Sequence, residues 1–402
     1  MGLNDTVSAE RLHISFFGKR NVGKSSLVNA VTGQKLAVVS PVKGTTTDPV
    51  QKAMELLPLG PVVIIDTPGY DDEGELGALR VEKTNEVLQK TDIAVLVYDV
   101  GAGLTDEDRA LLKTLLAREL PVILAANKSD LLSEAAQSEL RLEPPAIPVS
   151  AKTGAGVNAL KERLADLGRQ ALKPKLILAD LVEPGDTVVL VVPIDESAPK
   201  GRLILPQQQT LRELLDLHCT AICCQVEEVP GVLNSLKTPP RLVVTDSQAF
   251  GKVSPLVPTS IPLTSFSILF ARYKGQLAAL VAGARALAGL QDGDKVLISE
   301  GCTHHRQCND IGTVKLPGWV QKFTGKTLHF SFTSGGEFPE DLSPYTLVIH
   351  CGGCMLNEAA MKHRIAVARR AGVPMVNYGV AIAKMHGILE RSLEPFAKEI
   401  EQ

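Results

Sequence analysis

Apolar positions over residues 11–170 come in short runs: "HISFFG", "PVVIIDTPG", "DIAVLVYDV" and "PVILAANKSD". Runs of this length, bounded by turn residues, predict strands buried on both faces. Helical patterns lie between them, for example Asp106 to Arg118. Such βα alternation predicts a mostly parallel sheet with helices on both faces. The pattern changes at "ALKPKLILADLVEPGDT", residues 171–187, where Pro174 and Pro184-Gly185 punctuate the chain. Beyond it, "TVVLVVPID" reads as a strand, "TLRELLDLHCTAICC" as a helix and "RLVVTDS" as a strand. This small α/β region ends near the proline-rich "SPLVPTSIPLTS", 254–265. The last part repeats the logic, with strands at "DKVLISEGC", "KTLHFSFTSG", "YTLVIHCGGC" and "VPMVNYG". Its helices are "NEAAMKHRIAVARRAG", capped by Gly372, and "AIAKMHGILERSLEPF". The expected organisation is three α/β domains, 1–172, 173–265 and 266–402.

Length and composition fit this picture. A chain of 402 residues is too long for one core. With 45% hydrophobic and 22% charged residues it reads as soluble. A net charge of −3 argues against nucleic acid as a partner. The N-terminus shows no signal-peptide pattern. The most apolar segment, Ser265 to Leu290, is interrupted by Arg272, Lys274 and Arg285, so it reads as a packed helix and no membrane association is expected. Seven cysteines without an export signal point to the cytoplasm and to a metal or redox site, not a disulfide framework.

"GKRNVGKSS", Gly18 to Ser26, matches the phosphate-loop motif between a strand and a helix. Gly18 and Gly23 let the backbone wrap phosphates, and the helix N-terminus favours the anion. Lys24 would neutralise β/γ oxygens, the Ser25 hydroxyl would bind Mg²⁺, and Ser26 completes the loop. "DTPG" at 66–69 supplies Asp66 for Mg²⁺ through water and the Gly69 amide for the γ-phosphate. "NKSD" at 127–130 supplies Asn127, Lys128 and Asp130, whose carboxylate matches the N1–H and N2–H₂ donors of guanine. "SAK", Ser150, Ala151 and Lys152, offers a backbone N–H to the guanine O6.

In this order and spacing the four motifs resemble the Era-like branch of the translation-factor-related GTPases, implying GTP and Mg²⁺ as ligands. Tyr70 follows Gly69 where Ras-like relatives carry a water-orienting glutamine, so slow intrinsic hydrolysis is expected. Asn21 matches the asparagine that ligates K⁺ in potassium-activated relatives; its plainer reading is a loop-stabilising amide. In "VKGTTTDP", 42–49, Thr46 best matches the Mg²⁺-binding switch threonine, although Thr47 stands where those relatives carry arginine. Lys24, Asn21, Thr46 and Gly69 are thus the expected catalytic groups.

A second constellation lies near the end. "EGCTHHRQC", 300–308, and "HCGGC", 350–354, give Cys302-x-His304, 45 residues, then His350-Cys351-x-x-Cys354. Each follows a strand pattern, and carboxyl ends of parallel strands gather on one sheet edge. Core packing is the least favoured reading. Structural zinc with Cys₃His ligation and a [4Fe–4S] cluster on three thiolates stay open on spacing alone. Cys308, His305, Glu300 and Asp310 are weaker candidates nearby. In "HCTAICC", His218, Cys219, Cys223 and Cys224 are expected on a helix and in packing.

A GTPase region, then "VVLVVPIDESAPKGRLILPQQQTLRELLD", then C-x-H…H-C-x-x-C resembles the HydF family of [FeFe]-hydrogenase maturation GTPases over essentially the whole chain. The resemblance implies a dimerising middle domain and a C-terminal [4Fe–4S] domain with Cys302, Cys351 and Cys354 as ligands. His304 or His350 stays open as a fourth. It implies a scaffold that receives a transient di-iron precursor and passes it to apo-[FeFe]-hydrogenase, with radical-SAM maturases as further partners. The alternative is an Era-like GTPase with a zinc module acting on RNA or in ribosome assembly.

Overall fold

The four strand patterns of residues 11–170 join two further strands in one six-stranded sheet in a computed structural model of the chain. The structure describes residues 10–34, 49–69, 83–133, 142–171, 176–194, 203–274, 277–301, 311–353 and 356–400. Contacts divide it into two units, Met1–Pro174 with Asn357–Ala360, and Lys175–Leu356 with Met361–Gln402.

In the first unit, β1 (Leu12–Phe17) lies between β3 (Gly60–Asp66) and β4 (Ile93–Asp99), parallel to both. β5 (Val122–Asn127) and β6 (Ile147–Pro148) extend the parallel side, and β2 (Val50–Leu56) pairs antiparallel with β3. Alternate residues feed two separate cores. Ile14, Phe16, Val95 and Val97 pack with Leu27, Val28, Leu160 and Leu164 from the helices Lys24–Thr32 and Val157–Ala171. Phe17, Leu96 and Tyr98 pack with Leu115 from the helix Asp106–Ala117. That helix begins with a capping box in which Thr105 and Asp108 satisfy each other's backbone N–H.

The second unit holds two four-stranded parallel sheets. One has the order β10-β9-β7-β8, from β7 (Thr187–Val191), β8 (Thr220–Cys224), β9 (Leu242–Thr245) and β10 (Leu263–Ser265). The other has the order β12-β11-β13-β14, from β11 (Lys295–Ser299), β12 (His329–Thr333), β13 (Leu347–His350) and β14 (Met375–Asn377). One continuous core joins them through Phe266, Leu269, Leu280 and Ala284. A Cβ on Gly283 would stand 1.9 Å from the Met375 carbonyl oxygen, so the helix Leu277–Ala286 touches β14 backbone to backbone.

Two expectations need correction. The segment Ser265–Leu290 is not one helix: Ser265 caps a first helix, Phe266–Tyr273, and a second runs over Leu277–Ala286. "HCTAICC" is not helical. His218, with φ of 58°, ends the helix Leu205–Asp216, and Thr220–Cys224 then pairs along β7. A two-residue period puts Cys223 and Cys224 on opposite faces, one exposed and one buried. Burial pushes the Cys224 thiol up to about 11, away from the reactive thiolate form.

Candidate functional site

The phosphate loop leaves β1 through two left-handed residues, Asn21 with φ of 62° and Gly23 with φ of 84°. Such turns bring successive backbone N–H groups to one side, an arrangement that suits anions. Glycine is required at both ends of the loop for close approach. A Cβ at Gly18 would meet the Val97 carbonyl oxygen at 2.5 Å, and one at Gly23 would meet the Asn127 side-chain nitrogen at 2.3 Å. Gly18 therefore serves packing against β4, a role the motif alone does not reveal.

Asn127 ties three loops together. Its Nδ2 donates to the Val22 carbonyl at 2.8 Å, and its Oδ1 accepts from the Ala151 N–H at 3.0 Å. The Ser150 hydroxyl donates to Asp130 Oδ1 at 2.6 Å and accepts from the Thr153 N–H at 3.1 Å. Lys128, left-handed with φ of 67°, pairs with Asp99 at 2.7 Å. Asp99 stays below the ordinary carboxylate range, with desolvation opposed by the Lys128 ammonium and the Gly101 N–H. Lys152 is exposed and Ser26 half-buried.

The metal half of this site converges too. The Ser25 hydroxyl donates to Asp66 Oδ2 at 2.6 Å, and Lys24 Nζ lies 3.9 Å from Asp66 Oδ1. Asp66 is buried, and desolvation raises its pKa against the opposing pull of Lys24 and Ser25. Its Oδ1 has no hydrogen-bond partner. A buried carboxylate oxygen left this way suits a cation, so Ser25 and Asp66 fit Mg²⁺. Thr67 anchors the turn after β3 by donating from Oγ1 to the Phe16 carbonyl at 2.8 Å, and Gly69 is half-buried just beyond. Asn21 is exposed, and its side chain has no hydrogen-bond partner among the described residues. Thr46 and Tyr70 lie outside the described residues.

The thiol loop follows β13. Ser299 and His350 are register partners, so the loops after β11 and β13 start side by side. Cys351 N–H donates to the Ser299 carbonyl at 2.9 Å. The Cys351 sulfur accepts from the Gly301 N–H at 3.1 Å and the Gly353 N–H at 3.4 Å. Backbone donors aimed at sulfur favour a thiolate, the form that binds metal. Cys302, His304, Cys308, Asp310 and Cys354 lie outside the described residues. Among the described residues, no group of three or more His, Cys, Asp or Glu side chains is placed to hold a metal.

His350 is fully buried. Its Nε2 faces Arg364 Nη1 at 2.7 Å and its Nδ1 faces the Cys351 carbonyl at 2.6 Å. A guanidinium only donates, so Nε2 must accept and the proton sits on Nδ1. Burial, then the Arg364 charge, push the imidazole down to about 3. Both ring nitrogens are thus occupied. Arg364, from the helix Glu358–Arg370, carried no motif signal; only a cation within a buried helix pattern hinted at it. Glu300 accepts from the Tyr378 hydroxyl at 3.2 Å.

The N-terminal region matches the family model for 50S ribosome-binding GTPases over residues 13–128. Residues 177–275 match the hydrogen maturase F dimerization domain, and residues 278–395 its tetramerization domain. The tRNA modification GTPase MnmE of Heliobacterium modesticaldum is 41% identical over 150 residues, 36% of this chain and 32% of that protein. MnmE of Chromobacterium violaceum is 36% identical over 159 residues, 39% of this chain and 35% of that protein. The match therefore spans about a third of the length of these curated relatives. Among solved structures, a probable GTP-binding protein engB is 28% identical, with a TM-score of 0.30 over 39% of this chain and 99% of that one. Era from Aquifex aeolicus bound to GDP and AlF₄⁻ is 21% identical, with a TM-score of 0.34 over 52% of this chain and 91% of that one. With a GTPase domain followed by hydrogen maturase F dimerization and tetramerization domains, the chain belongs to the HydF family of hydrogenase maturation GTPases.

Proposed function

We propose that the protein is a GTP-hydrolysing scaffold that assembles and delivers the di-iron subcluster precursor to apo-[FeFe]-hydrogenase. The observation carrying this reading is the bond from the Gly301 N–H to the Cys351 sulfur at 3.1 Å. It sets the residue before Cys302 against the first cysteine of the C-x-x-C loop. Cys302, Cys351 and Cys354 would hold a [4Fe–4S] cluster, with His304 in the same motif. When bound, such a cluster supplies an iron short of one thiolate and open to ligand exchange with an incoming precursor.

The nucleotide end would act as a timer. Gly18, Gly23, Lys24 and Ser26 form the phosphate cradle, and Ser25, Asp66 and Thr46 hold Mg²⁺. Asn127, Asp130 and Ala151 read guanine, with Lys128 and Lys152 at its edge, while Gly69 senses the γ-phosphate. The unpartnered Asn21 amide supports a K⁺ ligand beside the phosphates, in the role of an arginine finger. The dimerization and tetramerization domains support a homodimer or higher oligomer. Radical-SAM maturases and the apo-hydrogenase are the proposed partners, in the cytoplasm. Among the described residues, no helix is long and apolar enough to cross a membrane.

The test is anaerobic purification and reconstitution, with metal content and EPR spectra of wild type and Cys302→Ala. A reducible cluster in wild type and loss of iron in the variant are expected, with activation of apo-[FeFe]-hydrogenase as the functional readout. Zinc with no reducible cluster, or full iron in Cys302→Ala, overturns the reading and favours a zinc-bearing RNA GTPase.

A further inference from the structure

The guanidinium of Arg364 sits where β11 and β13 end and where the chain leaves β12. Its Nη1 reaches His350 Nε2 at 2.7 Å and the Ser299 hydroxyl at 3.3 Å, and Nη2 reaches the Gly335 carbonyl at 2.6 Å. Its carbon lies 5.0 Å from the centre of the Phe338 ring. The side chain is buried, yet among the described residues no carboxylate pairs with it. Burying a cation without a counter-ion is unfavourable, so such groups are kept where an anion is to be met. The anionic-capable group close to this contact is the Cys351 thiol, one residue after the His350 that Arg364 contacts.

We infer that Arg364 is the positioning residue and counter-charge of the thiol loop, and that His350 transmits its hold and is not a metal ligand. This rests on the cluster reading above. Arg364 fixes His350 with the proton on Nδ1, and Nδ1–H fixes the Cys351 carbonyl at 2.6 Å. The same guanidinium holds Ser299, whose carbonyl accepts the Cys351 N–H. Cys351 is therefore held through His350 of its own strand, β13, and through Ser299 of the neighbouring β11. Lys274 adds a second cation, donating to the carbonyls of Gly353 and Leu356 on either side of Cys354. An electropositive wall behind a thiolate-ligated metal favours its more negative, reduced form and so raises its reduction potential.

The experiment uses the full chain, reconstituted anaerobically as wild type, Arg364→Gln, Arg364→Lys and His350→Gln. Iron per chain and an EPR-monitored redox titration are the readouts. Arg364→Gln should lose metal affinity by about 10–100-fold and shift the midpoint potential to a more negative value. Arg364→Lys keeps the charge and should stay nearer the wild-type potential. His350→Gln can still accept from Arg364 and donate to Cys351, so it should keep full iron and wild-type g values. An Arg364→Gln protein with wild-type potential and g values overturns the inference. Loss of iron from folded His350→Gln also overturns it, and that variant decides the matter if Arg364→Gln does not fold. A wild type without a reducible cluster fails the underlying reading instead, which separates the two.

Discussion

Asn127 donates its side-chain N–H to the Val22 carbonyl across 105 residues of chain, at 2.8 Å and fully buried. The residue usually read as a base-binding asparagine is here also the tie between the phosphate loop and the base loops. Asn127→Ala leaves the Val22 carbonyl and the Ala151 N–H without partners, at about 1–3 kcal/mol each. Both nucleotide affinity and stability of the N-terminal unit should fall together. Titration with a fluorescent GDP analogue and a thermal melt of the same samples measure this. A variant that loses affinity with an unchanged melt would restrict Asn127 to base contact.

Asp66 gives a pH dependence. Burial raises its pKa in the folded chain, so its stabilising contribution is present below the unfolded value and is lost as pH rises through the folded one. Mg²⁺ needs the ionised carboxylate, so its binding releases a proton and strengthens with rising pH. The Mg²⁺ concentration for half-maximal GTP turnover should therefore rise as pH falls toward the carboxylate range. Asp66→Asn should flatten that dependence while weakening Mg²⁺ binding. An Asp66→Asn protein that keeps the wild-type pH profile would assign the effect to another group.

Gly283 is a packing prediction for the second unit. A methyl there meets the Met375 carbonyl oxygen at 1.9 Å, so the helix Leu277–Ala286 must move off β14. Gly283→Ala should cost about 1–3 kcal/mol. The one tryptophan in the chain, Trp319, lies in that unit and reports its unfolding by fluorescence in urea. GTP turnover offers a control readout from the other unit.

Sequence alone determined the GTPase region, because each of its motifs is a local loop between a strand and a helix and chemistry fixes the spacing. The parallel sheets were legible too, since strands buried on both faces must be largely apolar, as β4 is over Ile93–Tyr98 and β1 is apart from His13 and Ser15. Where helix and strand compete over a few residues, the signal failed. Thr220–Cys224 reads as a helix extension, and only pairing along β7 and the left-handed His218 decide otherwise. The sequence set His350 and Cys351 side by side in one motif, with Cys351 an implied ligand and His350 left open as a fourth. Tertiary structure separates them: Arg364 and the Cys351 carbonyl occupy both nitrogens of one, while backbone N–H groups prepare the sulfur of the other. A partner that arrives from a different helix leaves no trace in local spacing, and that is why Arg364 had to be found in three dimensions.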